Sequence, residues 1–231
     1  DFHGPNLCAV GVANGTDAIA LCLRALRLGT GDEVITVSHT AVATVAGTEQ
    51  AGCLPVLADI DPVTRCICPE SALSRINEKT RAIIPVHIFG QPCDMDKIMK
   101  LAKANNLLVI EDCSQAHGAE TLGQKVGTFG DLAAYSCYPT KNLGGIGDGG
   151  VILCSTQRQA NHLKRLRQYG WDNNRESIET GVNTRLDEIQ AAILRVKLKY
   201  LAATNEKRRQ LAKRYDELLS DLPITLPHRD S

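Results

Sequence analysis

LLVIEDCSQAHGAETLGQKVGTFGDLAAYSCYPTKNLGGIGDGG, residues 107–150, is the stretch on which the fold of this chain turns. The apolar run 107–110 predicts a buried strand, and it ends in a carboxylate pair, Glu111 and Asp112. A second run, 132–137, predicts another strand, which passes through Ser136 and Pro139 into Lys141 and the glycines Gly144, Gly145, Gly147, Gly149 and Gly150. Open α/β sheets bind their ligands in the crevice beyond the carboxyl ends of the strands. Asp112 and Lys141 are therefore expected to face one crevice, the lysine amine emerging from a backbone-rich turn that a flat ligand can approach closely.

Strands and helices alternate outward from this stretch. Upstream, strands are predicted over 8–13, 33–37, 54–58 and 82–86, separated by helices over 14–28, 40–50, 69–76 and 95–104. Gly29 and Gly31 are placed to close the first helix. Downstream, a strand over 151–154 gives way to charged helices over 157–168, 185–201 and 205–219. This pattern implies βαβ units and a mostly parallel sheet with helices on both faces, a three-layer α/β/α sandwich. The switch to consecutive helices near Trp171 is the one candidate boundary, dividing a large domain (1–180) from a helical segment (181–231).

Composition narrows the function. The 231 residues are 43% hydrophobic and 23% charged, enough apolar material for a substantial core. Basic and acidic residues balance at 26 each with no dense Lys/Arg block, so no nucleic-acid partner is expected. No apolar run reaches membrane-spanning length and the opening DFHGPNLC lacks the pattern of a signal peptide, so the expectation is a cytoplasmic protein without a membrane partner. Nine cysteines without a C-x-x-C read as reduced, mostly buried thiols, with no metal site.

The two poles of the crevice have a chemistry of their own. A lysine there can form a Schiff base with a carbonyl, and an aspartate opposite can hold a protonated pyridine nitrogen, which are two groups that a pyridoxal 5'-phosphate site needs. The third need is a phosphate cradle, and Gly15-Thr16-Asp17 at a predicted helix N-terminus supplies backbone N–H groups for it. Singly, each has a plainer reading. Gly15-Thr16 is an ordinary helix start, Asp112 a cap on the next turn, and Lys141 a solvated surface lysine. A P-loop is not an alternative, because no G-x-x-x-x-G precedes Lys141, and no G-x-G-x-x-G follows the first strand.

Five ordered motifs carry a family resemblance: Asn14-Gly15-Thr16-Asp17-Ala18; Val86-His87 with Gly90-Gln91-Pro92; the run 111–119 (EDCSQAHGA); the run 136–144 (SCYPTKNLG); and the run 181–192 (GVNTRLDEIQAA). Together they resemble the DegT/DnrJ/EryC1/StrS nucleotide-sugar aminotransferases. The resemblance implies a fold-type I pyridoxal phosphate enzyme, with the large domain of aspartate aminotransferase. Such an enzyme moves an amino group from glutamate to a keto sugar on a dTDP or UDP carrier. It assigns the Schiff base to Lys141, the pyridine nitrogen to Asp112, the ring oxygen to Gln115, and the phosphate to Ser136 with the Thr16 and Asp17 backbone. Asn183 resembles the residue that reaches the phosphate of a neighbouring subunit, which implies a homodimer with shared active sites. Candidate substrate contacts are His39, His117 and Tyr138.

Two departures stand out. Where the family often has an aromatic residue to stack on the cofactor, this chain has Ala41, which cannot; His39 is the candidate cover, or merely makes a structural hydrogen bond. A leading helical segment and a small C-terminal domain are also expected to be missing. A non-catalytic, pyridoxal phosphate-binding regulatory or sensor domain would keep Lys141 and Asp112 too. An amino-acid aminotransferase would need arginines for its substrate carboxylates, which residues 14–150 do not obviously supply.

Overall fold

The computed structural model of the protein describes residues 2–4 and 6–227. Asp1 and Pro5 of the opening, and residues 228–231 of the expected helical segment, lie outside them. The strands are β1 (Cys8–Val12), β2 (Glu33–Val37), β3 (Leu54–Ala58), β4 (Thr80–Ile83), β5 (Leu108–Asp112), β6 (Glu120–Thr121), β7 (Gln124–Lys125), β8 (Leu132–Ser136) and β9 (Gly150–Cys154). The helices are α1 (Gly15–Ala25), α2 (Val42–Gln50), α3 (Pro69–Ser74), α4 (Met95–Ala104), α5 (Gln157–Leu166), α6 (Glu188–Leu198) and α7 (Leu201–Leu219).

Seven strands form one sheet in the order β1-β9-β8-β5-β4-β2-β3, and only β9 runs against its neighbours. Right-handed crossovers decide the layers. The chain steps outward from β1 to β2 to β3 and returns through β4 to β5, so α1 and α2 pack together on one face and α3 and α4 on the other. The three-layer expectation is met. β2, β5, β8 and β9 are largely buried, as a sheet covered on both faces requires, whereas the edge strand β3 leaves Leu54 and Leu57 exposed. Ile35, Ile83, Ile110 and Ile152 are fully buried, each side chain contributing roughly 1.5–3 kcal/mol through its removal from water.

Local chemistry sets α1. Asn14 Oδ1 accepts the Asp17 N–H at 2.8 Å and caps the helix, which buries Ala18, Ile19, Leu21, Cys22 and Leu23. It ends earlier than the glycines suggested, because Arg27 takes the left-handed conformation (φ 63°). Other boundaries move as well. β5 extends through Glu111 and Asp112, so both carboxylates are strand residues. Between the two predicted strands of 107–137, residues 120–125 form a two-stranded ribbon, β6–β7, closed by Leu122 and Gly123 with φ of 53° and 72°. Leu186, Ile189, Ile193 and Val196 recur at a helical spacing that predicts a face packed on a core, but Ile189 and Val196 are 64% and 58% exposed, while Leu194 is the buried residue. Leu186 lies before the helix, where its side chain packs on Gly11 and Gly149. All nine cysteines are free thiols, seven of them buried.

Candidate active site

β5 and β8 are adjacent and parallel, with Asp112 opposite Ala134, so Asp112 and the turn carrying Lys141 leave the same edge of the sheet. Asp112 is almost wholly buried. Its Oδ2 accepts the Thr44 hydroxyl at 2.7 Å and its Oδ1 the Ser114 N–H at 3.1 Å, which fixes the carboxylate plane while leaving lone pairs for a further donor. Thr44 is a fully buried polar residue on α2 that sequence reading missed; Thr48 on the same helix is buried as well, and nothing in the sequence marks which of the two meets Asp112. Glu111 points to the other side of the strand and has a different task. It accepts N–H groups of Gly127, Phe129 and Gly130 at 2.7–2.8 Å and pairs with His87 Nε2 at 3.1 Å. The Cys93 N–H donates to His87 Nδ1, so a neutral ring carries its proton on Nε2, toward Glu111. Burial raises the Glu111 pKa, but the His87 bond and these N–H groups outweigh it and hold the carboxyl below its ordinary value.

The N-terminus of α1 meets the end of β8. A Cβ on Gly15 would lie 2.6 Å from Ser136 Cβ, so only a glycine lets helix and strand approach this closely. Gly15 and Thr16 N–H have no acceptor among the described residues, whereas the Asp17 N–H is committed to Asn14. The Asp17 carboxylate is occupied too, by the Thr184 hydroxyl at 2.6 Å and Gln50 Nε2 at 3.1 Å. The free anion donors are thus Gly15, Thr16 and the half-buried Ser136, with Asp17 bracing the helix from behind.

Gln115 Oε1 accepts the Phe89 N–H at 2.9 Å, which leaves its amide nitrogen as the free donor. The Lys141 amine has no hydrogen-bond or ion-pair partner among the described residues. His39 and Tyr138, which follow the ends of β2 and β8, are exposed; His39 stands edge-on to Phe89 with ring centroids 5.7 Å apart. His117 differs. It is buried beside Tyr135, neither ring nitrogen has a hydrogen-bond partner among the described residues, and burial first, then the charge of Lys141, lowers its pKa to about 4. It lines a 340 Å³ apolar cavity with Tyr135, Leu143, Leu194 and Leu198. Asn183 is exposed, one residue before Thr184, whose hydroxyl also accepts the Ala13 N–H at 3.0 Å. The segment 183–184 therefore runs beside the α1 N-terminus of its own chain, although it is distant in sequence.

A family model described as the DegT/DnrJ/EryC1/StrS aminotransferase family matches residues 1–231. The chain belongs to this family. Among curated relatives, a UDP-N-acetyl-3-dehydro-alpha-D-glucosamine 3-aminotransferase of Acidithiobacillus ferrooxidans is 45% identical over 94% of this chain and 59% of its own length. A pleiotropic regulatory protein of Geobacillus stearothermophilus is 46% identical over 92% of this chain and 57% of its own. Among solved structures, S. venezuelae DesV in complex with a ketimine intermediate superposes with a TM-score of 0.91 at 41% identity, covering 96% of this chain and 61% of that one. The chain spans about 60% of the length of such family members.

Proposed function

We propose that this protein is a pyridoxal phosphate-dependent aminotransferase that takes an amino group from glutamate and places it on a dTDP- or UDP-linked keto sugar. The observation that carries the reading is the meeting, at one edge of a parallel sheet, of a braced carboxylate (Asp112), an unpartnered lysine (Lys141) and a helix N-terminus with two free N–H groups against Ser136. That donor set fits the cofactor: an anion for a pyridinium, an amine for an aldehyde, and N–H and O–H donors for a phosphate. Pyridoxal phosphate, when bound, supplies a carbonyl that condenses with amines and a ring that accepts the electron pair left when the substrate carbon loses its proton.

The residues of the chain do the rest. Asp112 holds the ring-nitrogen proton in place, and Thr44 and Ser114 keep its carboxylate from rotating away. Gly15, Thr16 and Ser136 hold the phosphate. Gln115, its oxygen fixed by Phe89, offers its amide hydrogens to the ring oxygen. Lys141 would hold the cofactor's aldehyde and, as a free amine, would be the base and acid that carries a proton from and to the substrate carbon, for glutamate and for the keto sugar alike. His39, His117 and Tyr138 are proposed on the substrate side, His39 also as cover for the ring. Asn183 is proposed to reach the phosphate of a partner copy in a homodimer, with 1–180 as the cofactor-binding domain and 181–231 as the helical segment at the interface. A cytoplasmic location belongs to the same proposal; among the described residues no helix is long and apolar enough to cross a membrane.

The name of the Geobacillus stearothermophilus relative supports a second reading, a regulatory domain that binds the cofactor without turnover. One assay separates them. The intact protein with cofactor and glutamate should release one 2-oxoglutarate per site and then aminate one member of a panel of dTDP- and UDP-linked 3-keto and 4-keto sugars. Bound cofactor with no 2-oxoglutarate released would favour the regulatory reading.

A further inference from the structure

The turn that presents Lys141 is held from outside by two helices that the family motifs only partly cover. Gln190 on α6 accepts the Ile146 N–H at 2.9 Å, and it sits so close that a Cβ on Gly145 would lie 2.5 Å from its Oε1. Lys197, two turns on, donates from Nζ to the Gly144 carbonyl at 2.7 Å. Asn205 on α7 makes the third tie: its Oδ1 accepts from Asn142 Nδ2 at 2.8 Å, and its own Nδ2 donates to the His117 carbonyl at 2.7 Å. These side chains spend their polar atoms on the backbone or a side chain of residues 142–146, the stretch directly after Lys141. Asn205 does more, since it joins that stretch to the loop that begins at Asp112 and carries Gln115. Gln190 and Lys197 are seven residues apart on α6, two turns on one face.

We infer that Gln190, Lys197 and Asn205 are positioning residues that set the place of Lys141 relative to Asp112. This rests on Lys141 being the cofactor lysine. The physical ground is that this glycine-rich turn has two backbone bonds of its own, from the Lys141 N–H to the Tyr138 carbonyl at 2.9 Å and from the Gly145 N–H to the Cys137 carbonyl at 2.8 Å, so the ties from α6 and α7 supply the rest of what fixes residues 142–146, and a displacement of about 1 Å at a reacting amine is costly. Asn205 is the central member, because it alone bonds both the lysine turn and the carboxylate loop. The Asn side chain suits the task by carrying an acceptor oxygen and a donor nitrogen on a short, stiff stem.

The test uses Asn205→Ala, Asn205→Asp and Lys197→Met in the intact protein, with two readouts. The first needs no cofactor: amide hydrogen exchange across residues 138–148. Asn205→Ala and Lys197→Met should raise exchange there roughly tenfold, on the order of one or two lost hydrogen bonds, while β2 and β4 exchange at the wild-type rate. Asn205→Asp keeps the acceptor for Asn142 and loses the donor to His117, so it should protect 142–146 nearly as well as wild type and loosen 115–119. The second readout is the pH midpoint of the visible band of the lysine-bound cofactor, which should move in Asn205→Ala and return toward wild type in Asn205→Asp, with kcat falling more than KM rises. Wild-type exchange and an unmoved midpoint in all variants would overturn the inference, as would exchange raised evenly over the whole sheet, the mark of a merely structural role. A wild-type protein that forms no lysine adduct would instead remove the assignment of Lys141, and the exchange result would still decide whether the three ties hold the turn.

Discussion

Glu111 and Asp112 are neighbours in sequence and opposite in surroundings. Four donors converge on Glu111, so Glu111→Ala should cost about 3–5 kcal/mol by orphaning them, seen in chemical denaturation whether or not cofactor is present. Asp112→Asn keeps size and much of the hydrogen bonding, and should leave stability near wild type while slowing the glutamate half-reaction roughly a thousandfold or more, each factor of ten being about 1.4 kcal/mol. Equal turnover would make Asp112 a structural cap. His117 gives a pH prediction. Its folded value of about 4 lies below the ordinary 6.5, so the unfolded chain takes the proton first. Stability is intact above about pH 6.5, falls through the window down to pH 4 and then levels off, with a loss of roughly 2 kcal/mol at pH 5 from this group. His3, also lowered to about 4 by burial and then by Lys125, acts in the same direction. Denaturant midpoints at pH 7.5 and pH 5 should draw closer together in His117→Phe; an unchanged gap would contradict the burial argument.

At the scale of the element, the start of α1 separates a cap from a cradle. Asn14→Ala removes the Asp17 cap and should cost about 1 kcal/mol with the free Gly15 and Thr16 N–H groups left in place. Gly15→Ala pushes a methyl group to within 2.6 Å of Ser136 Cβ, and should weaken cofactor binding at least about tenfold in an absorbance titration. The strands were legible because a sheet covered on both faces demands unbroken apolar runs, and α1 because its cap and periodicity agree. That Asp112 and the turn carrying Lys141 leave one edge of the sheet was legible because both follow apolar runs that read as strands. Gln190, Lys197, Asn205 and Thr44 were not, since each acts through a contact made across 44 to 88 residues of chain, and a polar residue on a helix carries no mark of what it faces. The α6 stripe misled for a related reason: the spacing of Ile189 and Val196 marks a helix face, and the single chain leaves that face in water.

For the whole molecule, exposed apolar residues gather on the last two helices and the turn between them: Ile189, Val196 and Tyr200, then Leu211, Tyr215 and Leu218, at 58–69% exposure. Such a surface is what a C₂ interface would cover. If Asn183 serves the partner's site, mixing inactive Lys141→Ala with inactive Asn183→Ala subunits should restore about a quarter of wild-type activity, from the one intact site in each mixed dimer. No recovery, together with an active monomer in sedimentation, would assign Asn183 to its own chain, where Thr184 already touches the α1 start. Beneath all of these lies the identity of the lysine. The intact protein, loaded with pyridoxal phosphate, reduced with borohydride, digested and mapped by mass spectrometry, should carry the pyridoxyl group on Lys141; a group on Lys125 or Lys164, or none on any lysine with cofactor bound, would contradict the account.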